Sequence, residues 1–152
     1  MAKRFWQTLW FKLLAGLLLL ALAVALGIGA YTKYKYFPQA SYDAVAPELP
    51  RFQGGPRVLV FSKTNGYRHL EAIPAANALL QRLAQKNGWN VFATENAAIH
   101  NGNDLGQFDL LVWANVSGDV LTPQQREVFR RYIETGGSVL ALHATGGDPS
   151  YE

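Results

Sequence analysis

Four short apolar runs constrain the fold of this chain more than any other feature: "RVLVF" at 57–61, "WNVFATE" at 89–95, "FDLLVWAN" at 108–115 and "SVLALHA" at 138–144. Each is a nearly unbroken series of Val, Leu, Phe and Ala, without the strict alternation of a strand that has one wet face. Helical patterns lie between them. The segment "EAIPAANALLQRLAQKNG" puts Ile73, Leu79, Leu80 and Leu83 on one face and reaches a stop at Gly88. The segment "TPQQREVFRRYIETGG" has Thr122 as N-cap, Pro123 at the first helical position and Gly136 as its end. Helices are expected over 71–86 and 123–135. Strands that are apolar throughout and joined by helices form a parallel sheet covered on both faces. The predicted fold class is therefore α/β, a flavodoxin-like doubly wound parallel sheet of strand order 2-1-3-4.

The residues ahead of this domain obey a different rule. From Leu13 to Ala30 the sequence "LLAGLLLLALAVALGIGA" has no charged or strongly polar side chain. At 1.5 Å per residue, and with Leu9, Trp10 and Phe11 in front, it reaches across a hydrocarbon core about 30 Å thick. Trp6, Trp10, Tyr31, Tyr34 and Tyr36 stand where interfacial aromatic belts form, and Lys3, Arg4 and Lys12 come before the run. Residues 1–36 are read as one transmembrane helix, a membrane anchor with its N-terminus in the cytoplasm and the domain outside. The alternative is a cleaved signal peptide, because "AVA" at 23–25 resembles a cleavage site; the domain would then be secreted. Residues 37–56, "FPQASYDAVAPELPRFQGGP", hold four of the seven prolines and show no periodicity. They are expected to form an extended linker that holds a domain spanning 57–152 off the membrane.

Charge follows the same division. The formal charge of +3 comes from 14 basic and 11 acidic residues, but five of the basic ones precede Phe37 and no acidic one does. The remainder carries 9 − 11 = −2, so the basicity belongs to the anchor and no nucleic-acid partner is implied. With no Cys in the chain, disulfides, thiolate metal sites and a Cys nucleophile are excluded.

In a doubly wound sheet, ligands bind beyond the carboxyl ends of the strands, where the strand order reverses. The loops that meet there are "SKTNGYRH" after the first strand, "NVSGDVLT" after the third and "HATGGDPSY" after the fourth. His69 and His143 are the candidate catalytic residues, since imidazole is the side chain suited to proton exchange near neutral pH. Lys63, Tyr67, Arg68, Asn115, Ser117 and Asp119 are the candidate ligand-binding residues, although Ser, Gly and Asp are also ordinary turn formers. His100, in the polar turn "AIHNGND", is expected to be solvated. A metal would need Asp148 as a third ligand beside the two histidines, and neither HxH nor HExxH spacing supports one, so no metal is assigned. There is no GxGxxG, Walker A or GxSxG motif, and no cofactor is implied.

Three ordered segments, "VLVFSKTNGYRH", "DLLVWANVSGDVLTPQQ" and "YIETGGSVLALHA", resemble the trehalose-utilisation (ThuA-like) family, whose fold is similar to class I glutamine amidotransferases. The resemblance covers most of 57–144. It implies a sugar or sugar derivative as ligand and a role in carbohydrate metabolism. In the amidotransferases the turn after such a strand presents a Cys nucleophile. "GGSVLALHATGG" is similar to that segment, with His143 near the elbow, but a thioester route is closed to a chain with no Cys. Family members continue well past a fourth strand, so the resemblance also implies that the sheet here is truncated and that 57–152 is an incomplete domain. Two functions remain open: a His-based general acid–base enzyme, or a non-catalytic carbohydrate-binding or protein-interaction module.

Overall fold

The computed structural model describes residues 2–145, and the chain divides into two compact units, Met1–Lys35 and Tyr36–Glu152. The first is the body of helix α1 (Ala2–Tyr36). Its stretch Thr8–Tyr36 is 29 residues long and apolar enough to cross a membrane. Leu17, Leu18, Leu19, Leu20, Leu22, Val24 and Leu26 are all exposed. A signal sequence near an N-terminus would have the same length and composition.

The second unit is an α/β domain. Strands β1 (Arg57–Phe61), β2 (Asn90–Thr94), β3 (Leu110–Ala114) and β4 (Ser138–Leu142) form one parallel sheet of order β2-β1-β3-β4, the order expected from the sequence. Val58 pairs with Val91 on one side and Leu110 on the other, and Leu111 pairs with Val139. The apolar runs are apolar because both faces of the inner strands are covered. On one face Val58, Val60, Val112 and Ala114 pack with Leu80 of helix α2 (Ala72–Asn87). On the other, Leu59, Phe61, Leu111 and Trp113 pack with Ile99, Leu105, Val120 and Leu121, and with Val128, Phe129 and Tyr132 of helix α3 (Pro123–Glu134). Leu59 and Phe61 are fully buried, and burial of such a side chain stabilises by about 1.5–3 kcal/mol.

Both helix boundaries follow from their sequences. Helix α2 ends at Gly88, whose φ of 71° is left-handed, the conformation that closes a helix without a Cβ penalty. Helix α3 begins with a full capping box: the Thr122 side chain accepts from the Gln125 amide, and the Gln125 side chain accepts from the Thr122 amide. Strand β4 is shorter than its apolar run. It stops at Leu142, and His143 turns away with a φ of 58°. Unlike β1 and β3, β4 lies at the sheet edge, and its Val139 and Leu140 are exposed.

The segment 41–56 differs from the spacer expected of it. It has no regular secondary structure, yet it lies on the domain as a strap. Leu49 and Phe52 pack on the larger core cluster, with Phe52 edge-on to Phe108 at 5.6 Å. Ser41 and Asn65 exchange two hydrogen bonds, of 3.1 and 3.0 Å. The backbone oxygens of Asp43 and Val45 accept from Gln125 Nε2 and Asn96 Nδ2. Proline keeps the segment extended, while its apolar residues and carbonyls find partners on the sheet's rim and core.

Candidate functional site

The carboxyl ends of β1 and β3 are joined by backbone bonds together with one from the Asn65 side chain, whose Nδ2 donates to Asp119 O at 2.6 Å. Thr64 and Ser117 form a parallel bridge beyond the strands, and Ser117 O accepts from the amides of Asn65 (2.8 Å) and Gly66 (3.0 Å). This close approach requires two glycines. A Cβ on Gly118, whose φ is 72°, would lie 2.4 Å from the Gly66 nitrogen; a Cβ on Gly66 would lie 3.0 Å from the Gly118 nitrogen. The polar turn after β1 is therefore one half of a backbone clasp. Ser117 Oγ donates to Tyr67 O at 2.6 Å, and this fixes the clasp's outer edge.

On that edge the sequence-predicted histidines meet. The rings of His69 and His143 are 4.4 Å apart, edge to face at 80°, although 74 positions separate them in the chain (143 − 69). Tyr67 packs on His69 at 4.7 Å, and Phe37 packs on Tyr67 at 5.5 Å. His69 is half-buried and His143 is exposed. Neither imidazole has a hydrogen-bond partner among the described residues.

Asn115 lies beside this pair, because its amide donates to Leu142 O, one residue before His143. Asn115 and His143 have φ values of 61° and 58°, and they are the non-glycine residues at positive φ among those described. Asn tolerates this region better than most residues, His less so. Asn115 is 3% exposed, and its Oδ1 has no hydrogen-bond partner among the described residues. An unsatisfied buried acceptor costs about 1–3 kcal/mol. Left-handed backbone at Asn115 and His143, a buried acceptor and two imidazoles without partners among the described residues thus occur on neighbouring loops at this end of the sheet.

The other predicted residues are placed differently. Arg68 forms a two-pronged bond to Glu95 at 2.6 and 2.7 Å and reaches Thr64 Oγ1. The bond to Glu95 raises the guanidinium pKa further. Asp119 is held by Arg126 at 2.7 Å and by Tyr42 Oη at 3.2 Å. Lys63 is 6% exposed, and its ammonium donates to Asp43 and Ser41. The structure thus brings Tyr67, His69, Asn115, Ser117 and His143 together, while the charges of Lys63, Arg68 and Asp119 are met inside the domain. Asp148 lies outside the described residues.

His100 corrects the sequence expectation. It is 1% exposed, surrounded by the rings of Phe61, Trp113 and Phe129. Trp113 Nε1–H, which can only donate, bonds to His100 Nε2 at 3.3 Å. Nδ1 therefore carries the ring proton and donates to Ala97 O at 3.1 Å. Burial pushes the pKa down to about 4, with the bond to Ala97 acting weakly in the other direction. The surrounding Asn and Gly residues make the chain turn; they do not expose the ring.

Sequence reasoning missed the groups supplied from outside the strand loops: Ser41, Tyr42 and Asp43 of the strap, and Glu95 after β2. A signal for the strap was present. A solvated spacer has no use for Leu49 and Phe52, and these are the residues that pack on the core.

The profile of the ThuA family, described as trehalose utilisation, matches residues 57–152. A ThuA-like protein from Bacteroides uniformis, known from a crystal structure, has a similar fold with a TM-score of 0.50 and 19% identity; the match covers 64% of this chain and 40% of that one. This chain thus corresponds to less than half of that protein's length. No curated protein sequence matches it. With the family profile matched over well more than half of its residues, on a sheet of the same fold, the chain belongs to the ThuA-like family.

Proposed function

We propose that the domain binds a sugar-derived small molecule at the rim formed by Tyr67, His69, Asn115 and His143. One observation carries this reading: two imidazoles without hydrogen-bond partners among the described residues meet at 4.4 Å at the carboxyl end of the sheet. Sugar hydroxyls both donate and accept, so they satisfy the ring nitrogens of His69 and His143, and Tyr67 supplies an apolar wall. Tyr67, His69 and His143 take the direct contacts. Lys63, Arg68 and Asp119, bonded internally, shape the loops and present their remaining donors and acceptors.

As an enzyme, the site would use the two histidines as a proton-exchanging pair at a sugar carbon or glycosidic oxygen. A second reading, a non-catalytic binding module, is favoured by a specific feature: among the described residues no carboxylate or carbonyl orients either imidazole, as one usually orients a general base. Titration of the intact protein with disaccharides and their keto derivatives, with product analysis, tests both. Turnover lost in His69→Ala and His143→Ala supports the enzyme. Saturable binding without product, weakened about tenfold or roughly 1.4 kcal/mol by each variant, supports the module. Unchanged binding in both variants would remove these residues from the site.

We place the protein at a membrane through α1, with the domain extracytoplasmic. The length and apolarity of Thr8–Tyr36 support the span, and Lys3, Arg4 and Lys12 support the orientation. The intact chain is expected to stay with membranes through an alkaline wash. A mature protein beginning at or before Tyr31 would instead establish a cleaved leader.

A further inference from the structure

We infer that the ligand of the histidine rim is a glycoside carrying an apolar alkyl or aryl group, with its sugar at His69 and His143 and its apolar group on an aromatic shelf made by Phe37 and Tyr67. This rests on the rim reading above and narrows the class of its ligand. The shelf begins where the imidazoles end. Tyr67 packs on His69 at 4.7 Å, meets Phe37 edge to face at 5.5 Å, and is stacked with Tyr36 at 5.6 Å, the two rings 3° from parallel. Tyr36 is half-buried, whereas Phe37 and Tyr67 remain 52% and 41% exposed. The backbone under these rings is held at two points. The Arg68 amide donates to Tyr36 O at 2.8 Å, and Ser117 Oγ donates to Tyr67 O at 2.6 Å, so a ligand meets an aromatic surface that is already in place.

A free sugar leaves that surface unused. Its hydroxyls answer the ring nitrogens, but the two aromatic rings leave water only when an apolar group covers them, and the gain scales with the area covered. The neighbouring charges narrow the ligand further. Lys63, Arg68 and Asp119 are bonded to Asp43, Glu95 and Arg126, so these three offer no free charge to a phosphorylated or acidic sugar. What remains is a hydrogen-bonding patch and an apolar patch that share Tyr67, the pattern suited to a neutral amphipathic ligand. Tyr36 is also the last residue of the stretch apolar enough to cross a membrane, so the shelf follows that stretch directly in sequence. The glycoside then has two sources, a lipid with a sugar headgroup or a soluble alkyl or aryl glycoside.

The test compares glycosides that differ only in their apolar group. Full-length protein in phosphatidylcholine nanodiscs is titrated with glucose, maltose, and methyl and hexyl glucosides and maltosides. The hexyl forms are kept below their micelle-forming concentrations, and protein-free nanodiscs serve as the blank. For at least one of the two sugars, the hexyl glycoside is expected to bind about tenfold more tightly than the methyl glycoside. Phe37→Ala should reduce that preference to about twofold; because it is a ratio within one variant, any loss common to both ligands cancels. His69→Ala should weaken both ligands by a similar factor. Equal affinity for methyl and hexyl forms, or a hexyl preference that Phe37→Ala leaves intact, overturns the shelf while keeping the rim as a sugar site. Binding of no saccharide at all removes the rim reading, and the shelf with it. A diacylglycerol glucoside built into the nanodisc separates the two sources: competition with the hexyl glycoside assigns the lipid, and hexyl binding undiminished by it assigns the soluble glycoside.

Discussion

His100 and the pair of His69 with His143 are the same residue type in opposite settings. His100 is enclosed by three aromatic rings, and each of its nitrogens has a partner that fixes the tautomer. The rim histidines face each other with ring nitrogens unpartnered among the described residues, on backbone that is left-handed at His143. The difference teaches that a histidine's role is set by what satisfies its nitrogens, not by the polarity of its sequence neighbours. Both environments hold "polar" turns. Only one leaves hydrogen-bonding capacity for a ligand.

The comparison breaks most sharply at the buried ring. His100→Ala removes a packed aromatic and leaves Trp113 Nε1–H and Ala97 O without their side-chain partner, so a loss of roughly 3 kcal/mol or more is expected in denaturant melts. Affinity for any rim ligand, measured on the fraction that remains folded, should not change. A rim affinity that falls with His100→Ala would mean the two regions are coupled.

Acid should act through the same residue. The folded pKa of about 4 lies below the ordinary histidine value of 6.5, so the unfolded chain takes up the proton first. The contribution from His100 is complete above pH 6.5 and is lost as pH falls from 6.5 towards 4, amounting to roughly 3 kcal/mol at about 1.36 kcal/mol per pKa unit. His100→Phe should flatten that part of the stability–pH profile. A profile as steep in the variant would assign the acid sensitivity elsewhere.

The clasp that carries the rim is the next place to test. Gly118→Ala forces a Cβ into the Gly66 backbone at a positive φ, and a loss of about 2 kcal/mol is expected. It should also weaken ligand binding, because Tyr67 and Ser117 would part. The smallest stability effect belongs to the rim itself. His69→Ala and His143→Ala should each change unfolding free energy by less than about 1 kcal/mol, since neither side chain is fully buried or hydrogen-bonded. A larger loss from either would make the pair structural.

The sheet was legible in the sequence because inner parallel strands must be apolar on both faces; β1 matches its run at both ends, and the strand order is the one expected of a flavodoxin-like sheet, although only short 3-10 turns separate β2 from β3. The edge strand was less legible, since β4 has the same Val, Leu and Ala composition as β3 but stops where His143 turns. Of the site, the topology rule was enough to bring His69 and His143 to one rim. It could not say which rim charges would be met internally. The bonds from Lys63 to Asp43, from Arg68 to Glu95 and from Asp119 to Arg126 join side chains from different segments, and nothing local encodes them. His100 was misread for the same reason: Trp113 and Phe129 approach it only in three dimensions.

The strap has a further consequence, for the order of folding events. The bond from Gln125 to Asp43 spans 82 positions and that from Ala97 to Asp43 spans 54, while β1 pairs with β2 across 33 (90 − 57) and with β3 across 52 (110 − 58). Closing longer loops costs more entropy, and the strap has no surface to dock on until the sheet's rim exists. The strap is therefore expected to dock after the sheet has formed, and a φ-value near zero for Phe52→Ala would bear this out. Interactions made that late leave the rate of folding almost untouched and set instead how slowly the folded domain comes apart.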